Sequence, residues 1–304
     1  MMDSAIETAN LSKQFRRVRA VDGLDLEVPQ GAIYALVGPN GAGKTTAIKI
    51  LMNIIRPTSG RATVLEQDST LVAGRSFCRI GYVSENQKLP EWMGVGLFLD
   101  YLRPFYPTWD RDLENELVRR FELPLDRKLK QLSRGMKMKA ALASALAFRP
   151  KLIVLDEPLG GLDPLVRDEL IEGLLERAAE STIFISSHDL AEIETFATHA
   201  GYMEQGRLRF SEEMVSLGGR FREVELSFAA SPALPAQYPE GWLQVESAGG
   251  VVKFIASRFD EARTPSEIHQ TFSGVRDMGF APMSLRSIFL AMAKSRRSGS
   301  GANS

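Results

Sequence analysis

The segment Gly38-Pro39-Asn40-Gly41-Ala42-Gly43-Lys44-Thr45-Thr46 sets glycines, a lysine and two hydroxyls at the spacing of a phosphate-binding loop. Glycines let successive backbone N–H groups turn toward one anion, and a helix starting at the loop adds its positive end. Lys44 would neutralise the β- and γ-phosphates of a nucleotide, and the Thr45 hydroxyl would coordinate magnesium. Gly38, Asn40, Gly41, Gly43 and Thr46 complete the candidate phosphate site. A second group follows in Leu152-Ile153-Val154-Leu155-Asp156-Glu157-Pro158, where an apolar run ends in two carboxylates. Asp156 is placed to hold the metal through water, and Glu157 to polarise the water that attacks the terminal phosphate.

These residues need rigid elements behind them. The runs Ile33–Val37, Leu152–Leu155 and Thr182–Ser186 have no polar alternation, as expected of strands buried on both faces of a largely parallel sheet. Such sheets bind ligands at the carboxyl ends of their strands. Ile48, Leu51, Met52 and Ile55 give the helix after the loop an apolar face, and Pro57 marks its expected end. Phe98, Leu102 and Phe105, then Leu113, Leu117 and Phe121, recur at helical spacing. They predict a helical insert from Trp92 to Phe121, within a segment of about residues 88–131, which Pro104 and Pro107 divide in two.

The third motif, Leu132-Ser133-Arg134-Gly135-Met136, gives the chain its resemblance to the ATP-binding-cassette family. The common family sequence has a second glycine and a glutamine where this chain has Arg134 and Met136. The resemblance covers roughly Leu11 to Gly219 and implies ATP and Mg2+ as ligands. It also implies a dimer, homomeric or with a similar subunit, in which Ser133 and the Gly135 backbone bind the γ-phosphate held by the opposite subunit. Physically, Ser133 would cap a helix over Met136–Phe148 and aim its dipole at phosphate.

Further landmarks follow in family order. Gly161-Leu162-Asp163 resembles the loop that communicates across the dimer, and His188 resembles the switch histidine that senses the γ-phosphate; a lone histidine also serves structural roles. Phe15 resembles the aromatic that stacks on adenine, with core packing as its alternative. The loop that usually carries a glutamine reads Ser84-Glu85-Asn86-Gln87. Alignment on the strand puts Glu85 at the metal-side position, and Gln87 lies two residues late. The aromatics Trp92, Phe98, Tyr101, Phe105, Tyr106 and Trp109 divide between local core and a groove for a coupling helix of a membrane subunit.

The α/β phosphate-loop core is expected to span residues 1–219. Beyond it, Arg222–Phe228 alternates like a strand, Trp242–Val245 and Val251–Ile255 flank Ala248-Gly249-Gly250 like a hairpin, and Glu267–Phe272 fits a helix. A small α+β domain over 220–294 and a polar, disordered tail over 295–304 are expected.

The 304 residues carry 37 Lys and Arg against 38 Asp and Glu, so no global charge draws the chain to nucleic acid, and none is expected as a partner. The single cysteine, Cys78, fits a reducing compartment. No apolar run approaches the ~20 residues of a membrane-crossing helix, so a peripheral place on the cytoplasmic face, through a polytopic permease subunit, is expected. The ending Ser284-Leu285-Arg286-Ser287-Ile288-Phe289-Leu290 resembles that of cassettes serving drug, lipid or polysaccharide exporters. Two functions stand: a transport ATPase driving membrane subunits, and a soluble cassette acting on a protein or nucleic-acid partner.

Overall fold

The computed structural model describes residues 3–299 except Ala236. They form two compact units divided between Ser211 and Glu212.

The first unit opens with strands β1 (Ser4–Phe15) and β2 (Val18–Pro29), a long antiparallel hairpin. Strand β3 (Ile33–Val37) leads into helix α1 (Lys44–Leu51). Strands β4 (Ser59–Val64) and β5 (Gln67–Asp68) return to complete a four-stranded sheet ordered β2-β1-β4-β5. After β6 (Ile80–Ser84) come the helices α2 (Val95–Leu102), α3 (Arg111–Arg120) and α4 (Arg134–Leu146). Strand β7 (Leu152–Asp156), helix α5 (Pro164–Ala178), strands β8 (Thr182–Ser187) and β9 (His199–Glu204) and the first five residues of β10 (Arg207–Glu213) finish the unit.

The second sheet is ordered β10-β9-β3-β8-β7-β6, and its strands from β9 to β6 are parallel. Every residue of β3, β7 and β8 is buried, as apolar runs without alternation require. Ile6, Leu24 and Leu26 of the first sheet share one core with Leu36, Ile48, Leu51, Val154 and Phe184. Burial of each such side chain contributes about 1.5–3 kcal/mol.

Helix α1 is shorter than its apolar pattern predicts. Asn53 adopts φ 52°, and the Ile54 N–H bonds the Lys49 carbonyl at 2.8 Å, so the chain leaves the helix by a left-handed turn before Pro57. Ile55 still packs on the core, but from beyond the helix. The insert breaks where its prolines predict: α2 ends at Leu102 and a 3-10 turn covers Arg103–Phe105. Phe105 is not core, being 59% exposed.

The second unit holds α6 (Met214–Arg220), β11 (Arg222–Phe228), β12 (Trp242–Ala248), β13 (Val251–Ala256), α7 (Arg263–Thr271), β14 (Val275–Pro282) and α8 (Leu285–Gly299). Its sheet is ordered β12-β13-β11-β14, with the expected hairpin between β12 and β13. Val224 and Leu226 point into its core while Glu223 and Glu225 face water, and Trp242 stacks on Phe254 at 3.9 Å. Two boundaries move from their expected places. Arg220 donates to Glu212 and to the Ser257 carbonyl, which ties residues 212–219 to this unit. Helix α8 runs through residues 295–299, in place of the expected disordered tail; residues 300–304 of that tail lie outside the described residues.

Candidate functional site

The parallel sheet brings four loop origins to one edge. Its register pairs Val37 with Ser187, Ser186 with Asp156, and Asp156 with Ser84. Glu157 and Glu85 stand one residue beyond the Ser186–Asp156–Ser84 line, and Gly38 and His188 one residue beyond the Val37–Ser187 pair, all at the carboxyl edge where such sheets bind ligands.

At β3 the phosphate loop turns directly into α1. A Cβ on Gly38 would fall 2.1 Å from the Met203 carbonyl oxygen, and one on Gly43, at φ 108°, would fall 2.2 Å from the Ala20 carbonyl oxygen. Only glycine fits either place. Gly41 also has positive φ, but over open space, so its surroundings leave room for an anion beside the loop. Lys44 is buried, with Nζ donating to the carbonyls of Gly38 (2.6 Å) and Pro39 (3.3 Å) and lying 3.1 Å from Glu157 Oε1.

At β7, Asp156 Oδ1 accepts from Thr45 Oγ1 and Ser186 Oγ, both at 2.9 Å. Asp156 is 3% exposed, and burial pushes its carboxyl above the usual carboxylate range; the two hydroxyl donors oppose that rise. A buried carboxylate beside a hydroxyl is a hard oxygen donor set that a divalent cation would stabilise. Glu157 follows at φ 53°, a left-handed conformation that costs a non-glycine residue about 1–3 kcal/mol. Its Oε2 meets His188 Nδ1 at 2.7 Å and accepts from the His188 backbone N–H at 3.2 Å. Lys44, Glu157 and His188 thus form one continuous chain of contacts.

Phe15, Asn40, Gly41, Gly43, Lys44, Thr45, Thr46, Glu85 and Glu157 line a single cavity of about 370 Å³. Phe15 is 46% exposed at its rim, which favours the stacking alternative over core packing. Glu85 is anchored by its N–H, which donates to the Asp156 carbonyl at 2.9 Å, and its carboxylate pairs with Arg134. Gln87 instead folds back, its Oε1 accepting from the Ser84 N–H at 3.4 Å, and it does not reach the cavity wall.

Comparison with known proteins bears on these motifs directly. The ABC transporter family model matches residues 21–160. The daunorubicin/doxorubicin resistance ATP-binding protein DrrA of Streptomyces peucetius is 32% identical, the match covering 95% of this chain and 92% of that protein. The chain belongs to the ATP-binding subunits of ABC transporters. It binds ATP and is an ATPase. The sulfate/thiosulfate import ATP-binding protein CysA of Rhodopseudomonas palustris is 31% identical over 86% of this chain and 81% of its own. A solved ATP-binding subunit of an ABC transporter superposes with TM-score 0.65 at 26% identity, covering 70% of this chain and 92% of that one.

Other residues of this cassette fall outside the cavity. Ser133 caps α4, accepting from the Met136 N–H at 3.2 Å; the helix begins at Arg134, two residues before its expected start. A Cβ on Gly135 would lie 3.0 Å from Val166, so this glycine also lets α4 and α5 approach. Neither Ser133 nor Gly135 lines the cavity of the same chain. Asp163 caps α5 through the Val166 N–H. The six aromatics of the insert divide evenly: Trp92, Tyr101 and Phe105 are more than half exposed, while Phe98 is buried, Tyr106 stacks on Phe148 at 4.0 Å, and Trp109 Nε1 donates to Glu114. Among the described residues no helix is long and apolar enough to cross a membrane.

Sequence reasoning missed Ser186, whose Oγ joins the two acids by donating to Asp156 and accepting from the Glu157 N–H. The signal was there: Thr182-Ile183-Phe184-Ile185-Ser186-Ser187 ends an apolar strand in hydroxyls. It also missed the place of Arg134.

Proposed function

We propose that the chain is the motor of a membrane exporter, working on the cytoplasmic face as a dimer that closes on ATP and reopens after hydrolysis. The observation that carries the site assignment is the meeting of Lys44, Glu157 and His188 in one chain of contacts at the carboxyl edge of the sheet, beside the cavity that the phosphate loop lines.

In this reading the loop from Gly38 to Thr46 wraps the phosphates, and Lys44 gives up Glu157 for them. Phe15 stacks on the base at the rim. Thr45 and Asp156 would hold Mg2+, with Glu85 rather than Gln87 on the metal side, since only Glu85 faces the cavity. The metal would neutralise charge on the phosphate oxygens. Glu157, released from Lys44, accepts a hydrogen bond from the attacking water, and His188 holds the Glu157 carboxylate from the other side.

Ser133 and the Gly135 backbone lie on a helix N-terminus outside this cavity, so they serve a nucleotide held by a second subunit. Trp92, Tyr101 and Phe105 provide an apolar surface for a helix of the membrane subunit. Export rather than import rests on the Ser284–Leu290 ending.

The test is recovery of the Glu157→Gln variant, with ATP, from detergent-solubilised membranes of the native cell. Co-purification of a polytopic membrane protein is the expected result. Recovery of soluble partners alone would favour a soluble cassette.

A further inference from the structure

Arg134 stands where the family commonly has glycine, and the fold gives it a defined place. Its guanidinium pairs with Glu85 and donates to the Gly160 carbonyl at 2.6 Å. It also packs on the Gly160-Gly161 turn: a Cβ on Gly161, at φ 66°, would fall 3.0 Å from Arg134 Nη1. A larger residue at 161 would push the arginine away.

The turn that Arg134 grips lies at the centre of the site. A Cβ on Gly160 would lie 3.6 Å from the Glu157 carbonyl oxygen, 3.8 Å from His188 Cε1 and 3.9 Å from Glu85 Oε1. One point beside the turn therefore lies within 4 Å of three site residues that follow three different strands. Glu85 in turn borders both the 370 Å³ cavity and a second groove of about 250 Å³ lined by Arg134, Lys137 and Met138. Through one side chain, the start of α4 reaches both the loop after β6 and the turn after β7.

We propose that Arg134 is a positioning residue for hydrolysis: by joining Glu85 to the Gly160 carbonyl within one subunit, it holds Glu85, Glu157 and His188 in a single arrangement. The inference rests on the site assignment above. The Arg134 side chain is 51% exposed and that of Glu85 33%, so the ion pair is screened by water and contributes little to stability. Its effect is geometric. A misplacement of about 1 Å at a reacting centre costs up to about a hundredfold in rate.

The experiment compares Arg134→Met, Arg134→Lys, Glu85→Gln and the Arg134→Met/Glu85→Gln double variant by steady-state ATPase kinetics and by titration with a fluorescent ATP analogue and Mg2+. Arg134→Met is expected to lower kcat about tenfold while KM and analogue affinity stay within about twofold. Arg134→Lys recovers part of the loss. The double variant is no slower than the slower single variant, because both break one link. Light scattering in a Glu157→Gln background is expected to show an ATP-dependent dimer with or without Arg134→Met.

A native kcat in Arg134→Met overturns the proposal, as do additive losses. Loss of the dimer on Arg134→Met also overturns it, since the arginine would then act across the interface. Glu157→Gln, assayed in parallel, separates the two levels. If it hydrolyses ATP at the native rate, the site assignment itself fails; if it is inactive while Arg134→Met is native, only the role of Arg134 fails.

Discussion

The carboxyl edge of the β9-to-β6 sheet and the small sheet of the second unit obey different rules. In the second unit, β11 alternates buried Val224 and Leu226 with exposed Glu223 and Glu225, and the glycines Gly249 and Gly250 make the turn of a hairpin. Each residue does what its local preference dictates. At the carboxyl edge, Lys44 and Asp156 are buried, Glu157 is left-handed, and Gly38 and Gly43 sit where a methyl group would meet a carbonyl oxygen. Local preferences are violated there together, which is what the proposed nucleotide site requires of those groups.

The sharpest way to break this contrast is to remove the charge at the phosphate loop. Lys44→Ala is expected to weaken ATP binding about a hundredfold or more, since the phosphates lose their main counter-ion, while circular dichroism shows the fold retained. Binding within a few-fold of native would mean that the loop is not the phosphate site. In the second unit, Trp242→Ala should act the opposite way. It removes a side chain stacked on Phe254 and should destabilise that unit by about 3–5 kcal/mol in denaturant unfolding, with ATP-analogue affinity unchanged.

Smaller effects sharpen the comparison at the helix start that belongs to both worlds. Ser133→Ala removes an ordinary N-cap and should cost about 1 kcal/mol of stability. If Ser133 also serves a nucleotide across the dimer, the same variant loses ATP-dependent dimerisation, which a cap alone would not explain. The smallest change is expected from Asp156→Asn in the nucleotide-free protein. Burial raises the Asp156 carboxyl above its usual value of 3.8, so the folded state holds its proton more tightly than the unfolded state does. Stability is therefore lost as pH rises from 3.8 through the raised value. The asparagine variant escapes that loss and should melt at a higher temperature at pH 7, with the advantage disappearing near pH 3.8. Equal melting temperatures at pH 7 would mean that Asp156 carries no desolvation cost.

What could be read from the sequence follows the same division. The fully buried strands β3, β7 and β8 announce themselves as unbroken apolar runs, and the loops they feed carry residues that have few other uses in that order. The hairpin of β1 and β2 was not legible. Its register shifts repeatedly between Ser4 and Phe15, so buried and exposed positions lose their two-residue period. The end of α1 was misplaced because apolar spacing continued past Asn53, whose left-handed turn has no signature in periodicity. Among the proposed site residues, those marked by type and order were readable: Lys44, Thr45, Asp156 and Glu157. Those whose role depends on who stands nearby were not. Ser186 and Arg134 are ordinary residues until the fold sets one between two acids and the other between Glu85 and Gly160. The different directions of the Glu85 and Gln87 side chains, one at the cavity and the other back on Ser84, likewise became visible only in the fold.

The central claim is that Glu157, at the end of β7 and held between Lys44 and His188, activates the water that cleaves ATP. The most direct test is single-turnover hydrolysis by purified Glu157→Gln, alongside ATP binding and light scattering. The account predicts ATP binding near the native level, a stable dimer in ATP, and cleavage slowed by about a hundredfold or more. Cleavage at the native rate with ATP bound would contradict it and move the search for the activating group elsewhere on the same sheet edge.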